Sequence, residues 1–250
     1  MTGQEVALLG AGGGIGQSIA ELMLKQGARL WLLDLDERRS TLESLLSRHP
    51  GQAHFIAIDL RDKDSMAVAF KLIREEAERL DACINAAGVI HRARFLETSA
   101  QALEQVMAIN VTGPFQVLQH AVGLMSHGGR IVNVASAHGL RTSAERSAYA
   151  MSKGAILSLT RALAVELGPQ GILVNAVAPG PVSAGMQDAA SESRRRWQQA
   201  TPLGRVARPD EVARAVLQLA SPLNTFMTAQ TLVIDGGATA NLGGEPNRPA

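Results

Sequence analysis

Short apolar runs alternate with longer amphipathic stretches along almost the whole chain. Apolar runs predict seven β-strands, at residues 6–9, 30–33, 54–58, 82–85, 130–135, 173–178 and 231–234. Between the runs, apolar residues recur at helical spacing, as Ile19, Leu22 and Met23 do after the first run. Strands separated by helices are expected to be parallel, because a parallel pair needs a long crossover. The pattern therefore predicts an α/β fold, a doubly wound Rossmann-type parallel sheet of about seven strands with helices on both faces.

The pattern continues without a linker, an internal repeat or a shift in composition. The chain has 250 residues, of which 46% are hydrophobic, enough to bury one large core. We therefore predict a single domain over residues 1–250. The last residues, 242–250, are rich in glycine and proline and are interpreted as a loose C-terminal tail.

Composition argues against several classes of partner. A formal net charge of +1 gives no electrostatic reason to bind nucleic acid or anionic lipid. No apolar run reaches the ~18 residues that a membrane-spanning helix needs, and no signal peptide precedes the first strand. Cys83 is the single cysteine, so no disulfide forms within the chain, and we expect a cytoplasmic protein. No HExxH motif or cysteine cluster indicates a metal.

A glycine-rich turn follows the first predicted strand. Gly10, Gly14 and Gly16 have the spacing GxxxGxG, and a helical pattern begins directly after them. A strand, a glycine turn and a helix together aim backbone N–H groups at a pyrophosphate. Asp34 ends the second strand, about 20 residues later, where a carboxylate can accept hydrogen bonds from a ribose. The segment predicts a dinucleotide site, against the alternative of a flexible surface turn.

Tyr149 and Lys153 lie four residues apart, so on a helix they share one face. A phenol titrates near pH ~10, and a cation beside it favours the phenolate, which makes it usable as an acid or base near neutral pH. Ser136 lies thirteen residues upstream and offers a hydroxyl. Taken alone, the pair could equally be an ordinary contact on a helix surface.

Position along the chain joins these two sets of residues. Asp34, Asp59, Asn85, Ser136 and Pro179 each come just after a predicted strand. In a doubly wound sheet, the carboxyl ends of the strands form the ligand crevice. The candidate residues are therefore expected to lie along one edge of the sheet.

With both sets in hand, the chain resembles the short-chain dehydrogenase/reductase family in its compact form of about 250 residues. The resemblance runs from about residue 6 to residue 237, and the motifs keep the order of the family. The matching segments are Gly10, Gly14, Ile15 and Gly16; Asp59-Leu60; Asn85-Ala-Ala-Gly88; Asn110; Ser136, Tyr149 and Lys153; Asn175; Pro179-Gly180; Pro202-Leu-Gly-Arg205; and Asp235-Gly-Gly237. Four positions depart from the family pattern, namely Leu9, Ala86, Ala184 and Ala229.

The resemblance implies two groups of site residues. The catalytic group is Asn110, Ser136, Tyr149 and Lys153. The cofactor-binding group is Gly10, Gly14, Ile15, Gly16, Asp34, Asp59, Leu60, Asn85, Ala86, Gly88, Tyr149, Lys153, Pro179, Gly180 and Val182. No metal ligand is implied.

The resemblance also implies a role for each catalytic residue. Tyr149 is expected to exchange a proton with the substrate oxygen as the general acid or base. Lys153 is expected to lower the pKa of Tyr149 and to hold the nicotinamide ribose. Ser136 is expected to position the substrate oxygen, and Asn110 to hold a water that connects Lys153 with solvent.

NAD is the cofactor that the sequence favours. A carboxylate at Asp34 repels the 2′-phosphate of NADP and accepts the ribose hydroxyls of NAD. Relatives that prefer NADP carry a basic residue at positions where this chain has Gly13 and Leu35. Arg38 and Arg39 follow, and we assign both to the next helix as solvent-facing charges.

The expected activity is hydride transfer between NAD(H) and a secondary alcohol or ketone. Two alternatives remain open: an NADPH-dependent reductase resembling 3-oxoacyl-acyl-carrier-protein reductase, and a non-catalytic dinucleotide-binding regulator on the same fold. The family also implies a homotetramer or homodimer, paired through helices at about residues 100–125 and 147–167.

The substrate is the least defined part of this expectation. Histidine, arginine and large apolar residues fall in the segments that form the family's pocket, namely His91, Arg92, Arg94, His138, Arg141, Arg146, Met186 and Trp197. They favour a small polar or anionic substrate, such as a sugar acid, a polyol or a hydroxy acid, with His91 or Arg92 at the pocket mouth and Trp197 on a lid. The alternative is that these groups face solvent and leave an apolar pocket.

Overall fold

A computed structural model of the chain describes residues 1–183 and 198–241, without the side chains of Ser126 and His127. The strands are β1 (Glu5–Leu9), β2 (Arg29–Asp34), β3 (Ala53–Ala57), β4 (Leu80–Asn85), β5 (Met125–Val134), β6 (Leu173–Pro179) and β7 (Thr231–Ile234). The α-helices are α1 (Gly14–Lys25), α2 (Arg39–Arg48), α3 (Lys63–Glu76), α4 (Ala100–Met107), α5 (Gly113–Val122), α6 (Ser147–Leu167) and α7 (Pro209–Ala220). Ala184, Met186, Trp197 and the tail at 242–250 lie outside the described residues.

The seven strands form one sheet in the order β3-β2-β1-β4-β5-β6-β7, and every neighbouring pair is parallel. This confirms the predicted doubly wound sheet. The chain builds outward from β1 to β3 and then returns to place β4 on the other side of β1. The strand order therefore reverses beside β1, which is where ligands bind in open α/β sheets.

Alternate residues of each strand supply two separate cores. In β1, Val6 and Leu8 pack into one apolar cluster, and Ala7 and Leu9 pack into the other. Helices α1, α2 and α7 cover the first face of the sheet. Helices α3, α5 and α6 cover the second. A sheet buried on both faces explains why the strands read as continuous apolar runs, and it confirms the prediction of helices on both sides.

Two predicted boundaries were wrong. Strand β5 begins at Met125 and not at residue 130, because Met125 pairs with Leu80 before the register shifts and Arg130 pairs with Ala82. Gly128, with φ of +95°, lies within this irregular stretch. The helix expected over residues 100–125 is divided into α4 and α5 by a wider π turn at Ala108–Thr112.

A short chain of polar side chains crosses the second core. Asn85 on β4 and Asn133 on β5 are paired residues, and Asn85 Nδ2 donates to Asn133 Oδ1 at 3.2 Å. Asn133 Nδ2 in turn donates to Thr160 Oγ1 on α6 at 3.0 Å. All three residues are buried, so these bonds satisfy polar groups that would be costly to leave unpaired. Asn85 Oδ1 is the exception, since it is buried and has no partner among the described residues.

Within residues 1–183 and 198–241, none of the helices is both long and apolar enough to cross a bilayer.

Candidate active site

The glycine turn leaves no room for side chains. Gly10 has φ of +78°, and a Cβ on it would lie 2.6 Å from the backbone nitrogen of Ala87 on the neighbouring loop. A Cβ on Gly16 would collide with the carbonyl oxygen of Gly10. Helix α1 begins at Gly14, so the turn presents backbone N–H groups and the positive end of a helix to the same space.

The Asp34 carboxylate is fixed against this turn. Its Oδ2 accepts a hydrogen bond from the backbone nitrogen of Gly12 at 2.7 Å, and its Oδ1 accepts from Leu35 at 2.8 Å. The carboxylate is only partly buried and lines the same cleft as the glycines. It therefore lies where an adenosine ribose would follow a pyrophosphate held by the turn.

A second carboxylate, Asp59, follows β3 and binds its neighbour Arg61 through two side-chain contacts of 3.0 and 2.6 Å. The Arg61 guanidinium lowers the pKa of Asp59 and keeps that carboxyl ionised. Arg61 also reaches the cleft, together with Leu60. Asp59 and Leu60 were expected in the cofactor site, whereas Arg61 was not.

These residues surround one continuous cleft of about 750 Å³. It runs along the carboxyl ends of the central strands, from the glycine turn to the start of α6. Its lining includes almost all the predicted site residues, namely Gly10, Gly14, Ile15, Gly16, Asp34, Asp59, Leu60, Ala86, Gly88, Ser136, Tyr149, Lys153, Pro179, Gly180 and Val182. The expectation that these positions share one edge of the sheet is met.

Asn85 and Asn110 are the two predicted site residues that do not line the cleft. Asn85 is used within the sheet, through its bond to Asn133. Asn110, inside the π turn, binds both backbone groups of Val89 at 2.8 and 2.9 Å and donates to Ser152 Oγ at 3.0 Å. Its side chain therefore fixes the loop after β4 against α6, and its role in holding a water stays a prediction.

Lys153 is almost fully buried. Its Nζ donates to the carbonyl oxygen of Val134 at 3.0 Å, and burial lowers the pKa of this ammonium to about 8. The same atom lies 5.9 Å from the ring centroid of Tyr149. A Cβ on Gly88 would come within 3.0 Å of Nζ, which explains why the loop after β4 carries a glycine there. Lys153 is thus held between the sheet and the cleft.

Tyr149 is largely buried and lines the cleft together with Ser136. Burial raises the pKa of the phenol, while Ser136 and then the charge of Arg146 lower it. The Lys153 ammonium lies 5.9 Å from the Tyr149 ring centroid and donates to the Val134 carbonyl. That Lys153 lowers the pKa of Tyr149 stays a prediction.

His138 packs edge-on against the Tyr149 ring, with ring centroids 5.9 Å apart. Burial, and then the charges of Arg146 and Arg92, lower the pKa of His138 to about 4. The imidazole is therefore neutral at pH 7, and its Nδ1 is 3.0 Å from Thr142 Oγ1. A neutral ring next to the phenol contributes shape and hydrogen bonding without a charge.

Among the six candidates for substrate contact that the structure describes, His138 and Arg146 line the cleft and the other four do not. Arg94 is exposed near Glu97, and Arg141 is exposed and donates to the carbonyl of Thr239 at 2.8 Å. His91 and Arg92 belong to the loop after β4 but not to the lining of the cleft.

Arg38 is exposed, as expected, but it ends a 3₁₀ turn before α2 instead of lying in the helix, and it lines the cleft. A Cβ on Gly12 would approach the Cβ of Arg38 to 2.9 Å. Arg39, one residue later, turns away and stacks over the ring of Phe55 at 5.4 Å. The signal available in the sequence was the spacing of Arg38, four residues after Asp34.

The described residues contain no group of three or more histidine, cysteine, aspartate or glutamate side chains that could hold a metal ion. Three parts fit a nicotinamide dinucleotide: a turn closed to side chains, a carboxylate beyond it, and a buried phenol at the far end. This fold and this cleft define a dinucleotide-binding oxidoreductase of the Rossmann class.

Comparison with known proteins narrows that class. A family model described as enoyl-(acyl carrier protein) reductase matches residues 10–239. The chain is 36% identical over 242 residues to cyclopentanol dehydrogenase from Comamonas sp., covering 94% of this chain and 97% of that protein. It is 31% identical over 242 residues to 3-oxoacyl-[acyl-carrier-protein] reductase FabG from Aquifex aeolicus, covering 95% and 98%.

A solved structure of a blue fluorescent protein from a metagenomic library, in complex with NADPH, superposes with a TM-score of 0.91. It is 29% identical to this chain, and the match covers 95% of this chain and 98% of that one. The chain belongs to the short-chain dehydrogenase/reductase family of oxidoreductases.

Proposed function

We propose that this protein transfers a hydride between NAD(H) and a secondary alcohol or ketone, with Tyr149 as the general acid or base. One observation carries the proposal: Tyr149 and Ser136 line the same cleft as the glycine turn and Asp34. A proton-transfer group and a dinucleotide cradle therefore face the same space.

A bound nicotinamide would supply the redox chemistry, by taking a hydride with its electron pair from the alcohol carbon so that the alcohol becomes a ketone. In this direction Tyr149, as the phenolate, accepts the hydroxyl proton, and Ser136 holds the same oxygen by a hydrogen bond. Lys153, anchored on the Val134 carbonyl, places a positive charge below the cleft and is positioned to hold the nicotinamide ribose.

The choice of NAD rests on Asp34. Its carboxylate already bonds Gly12 and Leu35, so it is fixed where a 2′-phosphate would meet a negative charge. Gly13 and Leu35 are neutral, which leaves no cation at the usual phosphate positions. We propose NAD as the cofactor on this ground.

A second candidate is an NADPH-dependent reductase acting on a 3-oxoacyl chain carried by a protein. It is favoured by Arg38, which reaches the cleft beside Gly12 and could pair with a 2′-phosphate, and by the similarity to the Aquifex aeolicus reductase. A non-catalytic regulator is the third reading, and the presence of Tyr149, Lys153 and Ser136 in one cleft is the argument against it.

One experiment separates these candidates. The purified protein is incubated with NAD or NADP and a panel of alcohols, polyols and hydroxy acids, and with NADH or NADPH and a 3-oxoacyl thioester. Absorbance of the reduced nicotinamide is the readout. The proposal predicts turnover of a secondary alcohol with NAD, and loss of that turnover in Tyr149→Phe. Turnover only of the thioester with NADPH supports the second candidate, and binding of either dinucleotide without turnover supports the third.

We also propose a homotetramer, or a homodimer, in the cytoplasm. Apolar side chains on the helices expected to pair are exposed in the single chain: Phe115 on α5 at 44%, and Met151 and Val165 on α6 at 51% and 79%. A symmetric copy would cover them. Light scattering at micromolar concentration should give a multiple of the chain mass, and a monomeric mass would contradict this proposal.

A further inference from the structure

Arg146 is a largely buried cation that has no partner among the described residues. The residue is only 5% exposed, and it lines the cleft beside Tyr149. Among residues 1–183 and 198–241, its guanidinium makes neither a hydrogen bond nor an ion pair. A buried charge without a partner is expensive, so such a group is typical of a site whose counter-charge arrives with a ligand.

The surroundings of Arg146 are positive. Burial, and then the charge of Arg92, lower the pKa of Arg146, and burial followed by both arginines lowers the pKa of His138. Arg92 itself is exposed on the loop after β4. The two segments are joined, because the backbone nitrogen of Ala93 donates to the carbonyl of Glu145 at 3.3 Å. Glu145 raises the pKa of Arg146, but its side chain is exposed and forms no ion pair with the guanidinium.

Helix α6 adds to this field. Arg146 is its N-cap residue, and its side chain makes no capping hydrogen bond. The first turn of this 21-residue helix contains no acidic residue, so nothing local neutralises its positive end. Tyr149 follows Arg146 by three residues, which places an anion held by Arg146 close to the reacting oxygen.

We propose that Arg146, with Arg92 behind it, forms a carboxylate-binding subsite next to Tyr149, and that the substrate is a hydroxy acid and its oxo acid. The guanidinium can hold a carboxylate by two parallel hydrogen bonds, which fixes the carboxylate end while Ser136 and Tyr149 hold the alcohol oxygen. This inference rests on the proposed function for the chemistry, but the anion site itself does not depend on it.

Matched substrate pairs test the subsite in the whole protein. Lactate is compared with lactamide, and 3-hydroxybutyrate with 3-hydroxybutyramide, because each pair differs mainly by the charge. We expect the wild-type protein to prefer the acids. In Arg146→Gln, kcat/KM for the acids should fall about 10–100-fold more than kcat/KM for the amides, mainly through KM. Any loss shared by both series reports the effect of Arg146 on the pKa of Tyr149. Arg146→Lys keeps the charge but cannot form two parallel hydrogen bonds, so its kcat/KM for the acids should lie between the values for wild type and Arg146→Gln.

Other outcomes would overturn the proposal. If the wild-type protein turned over amides as efficiently as acids, a site that binds the carboxylate through its charge would be excluded. An equal loss for acids and amides in Arg146→Gln would mean that Arg146 acts only through the pKa of Tyr149. Arg74→Gln, which removes an exposed arginine on α3, is the control and should leave both series unchanged. Thermal unfolding checks the fold of each variant, and Arg146→Gln should not be destabilised because it removes an unpaired charge.

A binding measurement separates this inference from the proposed function. Calorimetric titration with malonate and with malonamide, in the presence of saturating NADH, reports the anion site without turnover. We expect malonate to bind more tightly than malonamide, and this difference to disappear in Arg146→Gln but not in Arg74→Gln. If no alcohol is oxidised but malonate binding still depends on Arg146, the proposed activity fails and the anion site stands. If alcohols are oxidised but malonate binding is the same in Arg146→Gln as in wild type, the anion site is refuted and the proposed activity stands.

Discussion

The two ends of the cleft hold their polar groups in different ways. At the glycine turn the groups are backbone N–H donors and two partly exposed carboxylates, Asp34 and Asp59, each fixed by short contacts to close neighbours. At the other end, Tyr149, Lys153 and Arg146 are 8%, 5% and 5% exposed and belong to the protein interior. The glycine-turn end, which we call the scaffold end, is partly open to solvent and has fixed geometry. The other end, which we call the dry end, is a set of ionisable side chains in the protein interior.

At the scaffold end the backbone geometry determines the function of the site, whereas at the dry end burial determines the pKa values of its side chains. The glycine turn is shaped by close approach, because a Cβ on Gly10 or Gly16 would collide with neighbouring backbone atoms. The dry end adjusts acids and bases, since burial raises the pKa of Tyr149 and lowers those of Lys153 and His138. Substitutions at the two ends should therefore fail in different measurements.

Tyr149→Phe is expected to show the largest difference between its effect on turnover and its effect on cofactor binding. The change keeps the ring and its packing against His138 but removes the oxygen that carries the proton. Turnover should fall by ~10²–10⁴-fold, with the dissociation constant of NADH changed little. Steady-state kinetics and nicotinamide fluorescence measure the two quantities. Ser136→Ala, which removes the other hydroxyl on the substrate oxygen, should lose less. Wild-type turnover in Tyr149→Phe would refute the assigned role.

Lys153→Met should lose turnover, weaken NAD binding and yet stabilise the fold at pH 7. The folded-state pKa of Lys153 is about 8, below its ordinary value of 10.5, so the unfolded chain binds more protons between these values. Wild-type stability should therefore rise with pH from about 8 to 10.5, by roughly 3 kcal/mol.

Thermal unfolding of wild type and Lys153→Met at pH 7 and pH 10 tests this expectation. The variant should unfold several degrees above wild type at pH 7, and the difference should shrink at pH 10, where the wild-type lysine is neutral in the folded protein. Lys71→Met on the surface of α3 is the control, with no such dependence. A variant less stable than wild type at both pH values would show that the buried ammonium is well compensated.

Asp34→Ala tests the scaffold end alone. It should weaken NAD binding and relieve the exclusion of NADP, which would narrow the preference by one to two orders of magnitude, or about 1.4–3 kcal/mol. Specificity constants for both cofactors, with one alcohol substrate, give the measurement. The neighbouring Asp36→Ala, on the exposed 3₁₀ turn, should change neither. A wild-type protein that already prefers NADPH would reverse the assignment and direct attention to Arg38.

The smallest effect is expected at a position that belongs to neither end. Ala229, where relatives often carry glycine, has φ of +59°, a conformation that costs an alanine of the order of 1 kcal/mol. Ala229→Gly should relieve this strain, partly offset by the extra freedom of glycine in the unfolded chain. The melting temperature should rise by about 1–3 °C, with kinetics unchanged. A lower melting temperature would mean that the lost methyl contact outweighs the strain.

The scaffold end could be predicted from the sequence because its signals are local. Glycine spacing, a strand-terminal Asp34 and the apolar periodicity all lie within short segments, and they placed the sheet and the turn correctly. The spacing of Tyr149 and Lys153 likewise fixed their helix, and α6 begins and ends as predicted.

The rest depended on contacts between distant segments. That Lys153 binds the Val134 carbonyl, or that Asn85 is used by the sheet, follows from packing that no local pattern encodes. Arg38 and Arg39 are neighbours with opposite orientations, decided by one 3₁₀ turn. Arg146 was one of eight candidates, and only its burial distinguished it from the others.

The hydrogen-bonded chain of Asn85, Asn133 and Thr160 also favours a single pairing register between β4 and β5. If β5 paired with β4 one residue out of step, both amides would meet apolar side chains, and their donors would be left without acceptors in a dry core. Ser136 lies three residues beyond Asn133, and Gly88 three beyond Asn85. The register of β4 and β5 therefore also sets where the loop with Gly88 and the loop with Ser136 leave the sheet. These two loops can change in sequence while the positions at which they leave the sheet stay the same.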